Sequence, residues 1–256
     1  MKKFTILTAI TLIGAFYYFY LQTPIAEVII PAKNILIVGT SADYPPYAQI
    51  DLNTGEIVGL EIDVINEIAR RLDKKLQIKD MPFNSLIIEL ISGQIDLVAA
   101  GVCPNEERKK TVLFSHPYIE GDNNVIVSKK SNPAITSVQD LYGKSVAVNI
   151  GYTAESFLSQ YNEINLIRLK SPSDGFMALQ TDSVDAFAIA QSIFNKFLEN
   201  QKNNSYYQSF SLPSSDACAL VYAKNNSALQ QEVDPVIDAM IEDGTMQAIK
   251  KKWGFE

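Results

Sequence analysis

From Ile35 onward, short apolar runs alternate with segments of helical period, in two successive series. In the first series, Ile35–Gly39 reads as a strand. Leu60, Val64, Ile68 and Leu72 then recur at helical spacing while Glu61, Asp63, Glu67, Arg70 and Arg71 face elsewhere. Leu76–Lys79 is a strand, Asn84 caps a helix running to Ser92 with Gly93 beyond it, and Asp96–Gly101 is a strand. The second series has strands at Val125–Val127, Ser145–Ile150, Leu166–Leu169 and Asp185–Ala190. Its helices start at Ser137 (ending near Gly143) and Ala154, then span Ser173–Thr181 and Ser192–Glu199. A polar stretch, Gln201–Ser209, precedes a last strand at Ala219–Ala223 and two helices split at Asp243–Gly244. This pattern specifies an α/β protein with two lobes, each a parallel-rich sheet flanked by helices. Ligands of open α/β sheets bind beyond the carboxyl ends of the strands. Polar loops fall there at Thr40–Ser41, Val102–Cys103 and Gly151–Thr153.

The 256 residues are enough for two such lobes, and 47% hydrophobic content is that of an ordinary globular chain. A net charge of −7 with no basic stripe speaks against nucleic-acid binding. His116 is the single histidine, which excludes a His-rich metal site, and no cofactor motif is present. Cys103 and Cys218 are too few for a disulfide framework. Two buried thiols are the favoured reading, and one bond between them is the alternative. At the N-terminus, Lys2 and Lys3 precede an uncharged run from Phe4 to Leu21, with Tyr17, Tyr18 and Tyr20 at its far end. That layout marks export, residues 1–22 being either a cleaved signal or a retained membrane anchor.

Gly59-Leu60-Glu61-Ile62-Asp63-Val64, followed by Ile68-Ala69 and Leu72, resembles the signature of the polar amino-acid solute-binding proteins of ABC transporters, bacterial family 3. Gly39-Thr40-Ser41-Ala42-Asp43-Tyr44-Pro45-Pro46-Tyr47 is similar to that family's first ligand loop, and Phe83–Ile87 with Gly93 and Asp96 to its next helix and strand. Glu107-Arg108 with Phe114–Tyr118, Asp140–Lys144 with Gly151–Thr153, and Asp243–Thr245 with Lys252–Trp253 match further segments in order. Within the family, the resemblance is nearest to arginine-binding proteins of the chlamydial type. It implies a type II periplasmic-binding-protein-like fold, with lobe 1 at 34–121 plus 219–256 and lobe 2 at 122–218. It further implies hinge strands near Glu120–Asn124 and Asp216–Leu220. The implied function is to capture a polar amino acid, arginine or another basic one favoured, and to deliver it to an inner-membrane permease. The implied protein is a periplasmic monomer that closes on its ligand.

An amino acid in a dry cleft needs a cation for its carboxylate, acceptors for its ammonium and a surface for its side chain. The resemblance gives the first role to Arg108, whose planar fork fits a carboxylate bidentately. By spacing alone Arg108 is a solvated residue of the charged run Glu106–Lys110. Gly101 and Cys103 stand where relatives offer backbone groups and serine hydroxyls, so only main-chain contacts carry over. Tyr152 and Thr153 precede a helix, whose first N–H groups favour an anion; Thr153 is equally suited to be the cap. Tyr44 and Phe83 match positions that clamp the ligand side chain between aromatic faces, which suits a flat or cationic group.

Two positions depart from the family's pattern. Its usual ammonium-holding acid is replaced by Ala190, with Gln191 as a neutral substitute, and an often acidic position is Ser41. Two other functions fit less of the sequence. A dehydratase of cyclohexadienyl acids would need a general acid from Asp43, Glu61 or Glu120, and no motif singles one out. A membrane-tethered sensor would need the anchor retained.

Overall fold

The computed structural model describes residues 34–132, 135–199 and 204–255. The expected signal or anchor, 1–22, lies outside the described residues, as does part of the polar stretch, 201–203. Among the described residues, no helix is long and apolar enough to cross a membrane.

The first strand among the described residues is β1 (Ile35–Thr40), in which Leu36 and Val38 point into the core. Three very short strands follow, β2 (Asp43–Tyr44), β3 (Ala48–Ile50) and β4 (Ile57–Val58), forming a small antiparallel sheet of their own. Helix α1 (Leu60–Arg71) buries Leu60, Ile62, Val64, Ile65 and Ile68, each worth roughly 1.5–3 kcal/mol of transfer free energy. Next come β5 (Lys75–Asp80), α2 (Phe83–Ile91), β6 (Leu97–Val98) and β7 (Val112–Phe114). A long strand, β8 (Ile119–Lys129), leads into the second series. That series comprises β9 (Ser145–Asn149), α3 (Thr153–Leu158), β10 (Asn165–Leu169), α4 (Pro172–Gln180), β11 (Ala186–Ala190), α5 (Gln191–Glu199) and β12 (Tyr207–Cys218). The chain then returns through β13 (Val221–Ala223) to α6 (Ser227–Glu242) and α7 (Thr245–Lys252).

Two five-stranded sheets result, ordered β5-β1-β6-β13-β7 and β10-β9-β11-β8-β12. They follow one plan. In each, three strands run parallel with the first in sequence in the middle: β1 lies between β5 and β6, and β9 between β10 and β11. The remaining strand pairings are antiparallel. Each middle strand is therefore a switch point, where the chain leaves to opposite sides and opens a crevice at the carboxyl end. The two-lobed α/β architecture agrees with the sequence.

The start of α1 shows why the sequence needs Gly59. Its φ is 153°, and a Cβ there would lie 2.1 Å from the Tyr47 carbonyl oxygen. That carbonyl accepts from Glu61 N at 3.1 Å, and Pro46 O accepts from Leu60 N at 2.9 Å. The first N–H groups of the helix, which have no partner within it, are thus satisfied by the loop that carries Tyr44.

Several boundaries differ from the sequence reading. Helix α2 starts at Phe83 behind an extended Pro82, and Asn84 is an exposed helical residue rather than a cap. The strand expected at Val125–Val127 is the middle of the eleven-residue β8. The stretch read only as polar, Gln201–Ser209, runs into β12, an edge strand carrying Pro213. Proline lacks the N–H that a ladder requires; Pro213 lies inside the register shift between Ser211 and Ser215.

Candidate ligand-binding site

The carboxyl ends of both middle strands are polar and only partly satisfied. Thr40 ends β1 and Asn149 ends β9; Thr40 Oγ1, Asn149 Oδ1 and Tyr152 Oη are buried without a hydrogen-bond partner. Buried polar atoms left unpaired are uncommon enough to mark a functional location. Here a cavity of about 20 Å³ is lined by Tyr44, Phe83, Gly101, Cys103, Arg108, Tyr152 and Thr153. Seven of the nine residues expected from the sequence thus converge.

The first lobe supplies five of them. Tyr44 ends β2 and stacks on Tyr47, their ring centroids 5.3 Å apart. Phe83 opens α2, so its ring projects at the helix start. Gly101 and Cys103 follow β6 on a loop that Gly101 turns with a φ of 61°. Glu61 holds that loop: its carboxylate accepts from Gly101 N at 2.6 Å and from the Tyr118 hydroxyl. Glu61 is fully buried, both its carboxylate oxygens are taken up by these two donors, and it does not line the cavity.

Arg108 begins a turn of 3-10 helix, its backbone N held at 2.7 Å by Asn105 Oδ1. Its guanidinium donates to Cys103 O at 2.6 Å and to Gly151 O at 2.5 Å. The fork therefore spans loops at the ends of β6 and β9. It is not a solvated member of the charged run.

From the second lobe come Tyr152 and Thr153. Tyr152, not Thr153, is the residue preceding α3, and it makes no side-chain cap. Thr153 Oγ1 instead accepts from Asn124 Nδ2 at 3.1 Å. The Tyr152 ring lies edge-on to Tyr44 at 5.3 Å and to Phe83 at 4.6 Å.

Two expected residues stand elsewhere. Ser41 is buried beside the site, and its hydroxyl donates to Asp43 Oδ1 at 2.7 Å. Burial pushes the Asp43 carboxyl above the usual range, with Asp80 and Asp174 adding to the rise. Gln191 heads α5, donates to Asn195 Oδ1 at 2.7 Å, and lines a different hollow of about 650 Å³. Its amide is thus not among the residues gathered around Arg108, because α5 turns it toward its own helix. The larger hollow includes Lys196 and Lys252, which pair with Glu199 and Asp63. Sequence reasoning missed Asn124 and Asp122. Their only signal was a run of polar residues, Asp122-Asn123-Asn124, directly before the apolar core of β8. Cys103 and Cys218 are free buried thiols, as favoured. Among the described residues, no group of histidine, cysteine or acidic side chains could hold a metal.

Residues 36–256 match the bacterial extracellular solute-binding proteins, family 3. The chain belongs to this family. Members of family 3 are binding proteins, and the chain is a binder rather than an enzyme. One relative is the arginine-binding extracellular protein ArtP of Bacillus subtilis, 33% identical over 86% of this chain and 86% of its own length. The L-cystine-binding protein TcyA of the same organism is 27% identical, covering 88% of this chain and 82% of TcyA. Among solved structures, an ancestral arginine-binding protein bound to arginine superposes with a TM-score of 0.81 at 34% identity, covering 86% of this chain and 98% of that one. A structure of an ancestral arginine-binding protein bound to glutamine gives 0.81 at 35% identity, covering 87% and 99%.

The family 3 site carries one titration that stability measurements can read. Burial pushes the Glu61 carboxyl up to about 7 from an ordinary 4.5, against the pull of its bonds from Tyr118 and Gly101. The folded state thus holds a proton that the unfolded state releases. Glu61's contribution is greatest below pH 4.5 and falls as pH rises toward 7. Glu61→Gln keeps an acceptor for Gly101 and an amide that the Tyr118 hydroxyl can accept from, without the titration. Its stability relative to the parent is expected to rise by about 3 kcal/mol between pH 4.5 and 7.5, the shift converted at 1.36 kcal/mol per unit. Urea denaturation of both proteins across that range checks this, and parallel pH profiles would refute it.

Proposed function

We propose that this chain captures a polar amino acid between its lobes, arginine or another basic one favoured, and hands it to the permease of an ABC importer in the inner membrane. It works as a periplasmic monomer, with residues 1–22 as signal or anchor, lobe 1 at 34–121 plus 219–256 and lobe 2 at 122–218. The observation that carries this reading is the convergence of Arg108, Tyr44, Phe83, Gly101, Cys103, Tyr152 and Thr153 on one cavity. Arg108 takes the ligand carboxylate in its fork, with Thr153 beside it. Tyr44 and Phe83 offer flat faces to the side chain, a surface that attracts guanidinium by cation–π contact. Ser41 donates to Asp43, the acidic neighbour of Tyr44 in β2. The arginine-binding names of several relatives support the choice of ligand; the glutamine-bound ancestral structure supports a tolerance for other polar side chains.

The 20 Å³ cavity has room for about one water, far less than an amino acid, so the lobes must part for the ligand to enter. Titrating the purified protein, freed of amino acids, with each of the twenty in a calorimeter tests the proposal. Arginine or lysine is expected to bind in the micromolar range or tighter, ahead of the apolar amino acids. Heat from none of the twenty would dismiss the amino-acid reading.

A further inference from the structure

We infer that the Gly151–Tyr152 dipeptide is a tethered competitor of the ligand, and that Tyr152 thereby sets both affinity and selectivity. The inference rests on the amino-acid reading above and deepens it. An amino acid brings two features to this site: an oxygen acceptor for the Arg108 fork and, if arginine-like, a flat side chain for the slot between Tyr44 and Phe83. Gly151 and Tyr152 present both. The Gly151 carbonyl accepts from Arg108 Nη2 at 2.5 Å. The adjacent ring lies against Tyr44 at 5.3 Å and Phe83 at 4.6 Å. Gly151 has φ of 83°, a left-handed geometry that glycine adopts freely.

The occupant is built to be displaced. Tyr152 is only 8% exposed, yet its hydroxyl has no hydrogen-bond partner. A buried unpaired hydroxyl weakens the arrangement that buries it. When the lobes part, that hydroxyl regains water. A ligand must bind the opened form better than Tyr152 fills the closed one, so its apparent affinity falls by the open fraction. Side chains too small to engage Tyr44 and Phe83 gain nothing there to set against the ring. The device therefore screens out small amino acids.

Two substitutions separate the ring from its hydroxyl. Tyr152→Ser removes the occupant; L-arginine is expected to bind roughly tenfold tighter, as an open fraction near one in ten would give. Tyr152→Phe keeps the ring and removes the unpaired hydroxyl, so arginine is expected to bind severalfold more weakly. Spin labels at Asn53→Cys and Asn162→Cys, with a control lacking both, report the distance between lobes without added amino acid. Tyr152→Ser should lengthen that distance and Tyr152→Phe should not. An unchanged distance in Tyr152→Ser overturns the inference even if arginine binds the parent. Arginine affinity that is unchanged or weaker in Tyr152→Ser, despite a longer distance, overturns the competition. A longer distance with no heat from L-arginine or L-glutamine in any variant upholds the occluding role and removes the amino-acid reading instead.

Discussion

Arg108→Ala is expected to weaken amino-acid binding by at least roughly thirty-fold. Truncating one partner of a desolvated, hydrogen-bonded charge pair costs about 2–5 kcal/mol, or roughly thirty- to several-thousand-fold in Kd. The partner here is the ligand carboxylate, and no second guanidinium lines the cavity to replace the lost one. The substitution also removes the tie to Gly151 O and so eases opening. That gain is smaller than the loss of the one cation that lines the cavity among the described residues. Arg108→Lys keeps the charge but not the planar fork, and should fall between parent and alanine variant. Arg108 is partly exposed, so the folded state should survive with a melting temperature close to the parent's. Calorimetric titration with arginine decides the matter. Binding by Arg108→Ala within threefold of the parent would move the carboxylate elsewhere.

Asp122→Ala should produce the largest loss of stability. This carboxylate, in β8 where the chain crosses between lobes, is nearly buried. It accepts from Tyr47 Oη at 2.6 Å, Ser192 N at 2.9 Å and Ser192 Oγ at 2.6 Å. Tyr47 belongs to the loop that supports α1, while Ser192 lies in α5 beyond the second sheet. One side chain therefore joins both lobes at their crossing. Alanine leaves three donors without an acceptor, at about 1–3 kcal/mol each where burial is complete. Allowing for water reaching Ser192, the expected loss is about 3–5 kcal/mol, or roughly 10–15 °C in melting temperature for a domain of this size. Asp122→Asn retains one acceptor and should lose less than half as much. Chemical denaturation of the three proteins is the measurement, and a loss under about 1 kcal/mol for alanine would show that the three bonds are readily replaced by water.

The fold was legible wherever burial dictated the pattern. Strand β1 and helix α1 are read from Leu36, Val38 and the Leu60–Ile68 stripe because those side chains fill the core. The part of strand β12 before the expected hinge at Asp216 escaped because an edge strand is held by its backbone ladder to β8, which leaves its outward side chains free to be polar. Strands β2 to β4 escaped for a different reason: two or three residues carry no period, and their pairing is set by the intervening turns. At the site, Tyr44, Phe83 and Arg108 were found through the family's motifs, not through spacing, since periodicity reads Arg108 as one more charge in a charged run. Tyr152 was expected to touch the ligand, but no local pattern shows that its ring would fill the ligand's own slot. Asp122 and Asn124 fall in the stretch expected as a hinge strand, but no local pattern marked their side chains as partners of Tyr47, Ser192 and Thr153, because those contacts join segments distant in sequence.

The return of the chain through β13 bears on how the molecule is assembled. Strand β13, near residue 221, pairs with β6 at residues 97–98 and with β7 at 112–114. The first sheet therefore lacks an interior strand until the chain has been delivered almost to its end, and closing it joins segments more than a hundred residues apart. The second sheet draws all its strands from the continuous stretch 119–218. Ordering loops of that length is slow, and local pairings form ahead of distant ones. The stretch 119–218 is thus the one able to fold first, and by joining the ends of β8 and β12 it brings together the two flanking segments from which the first sheet must be completed.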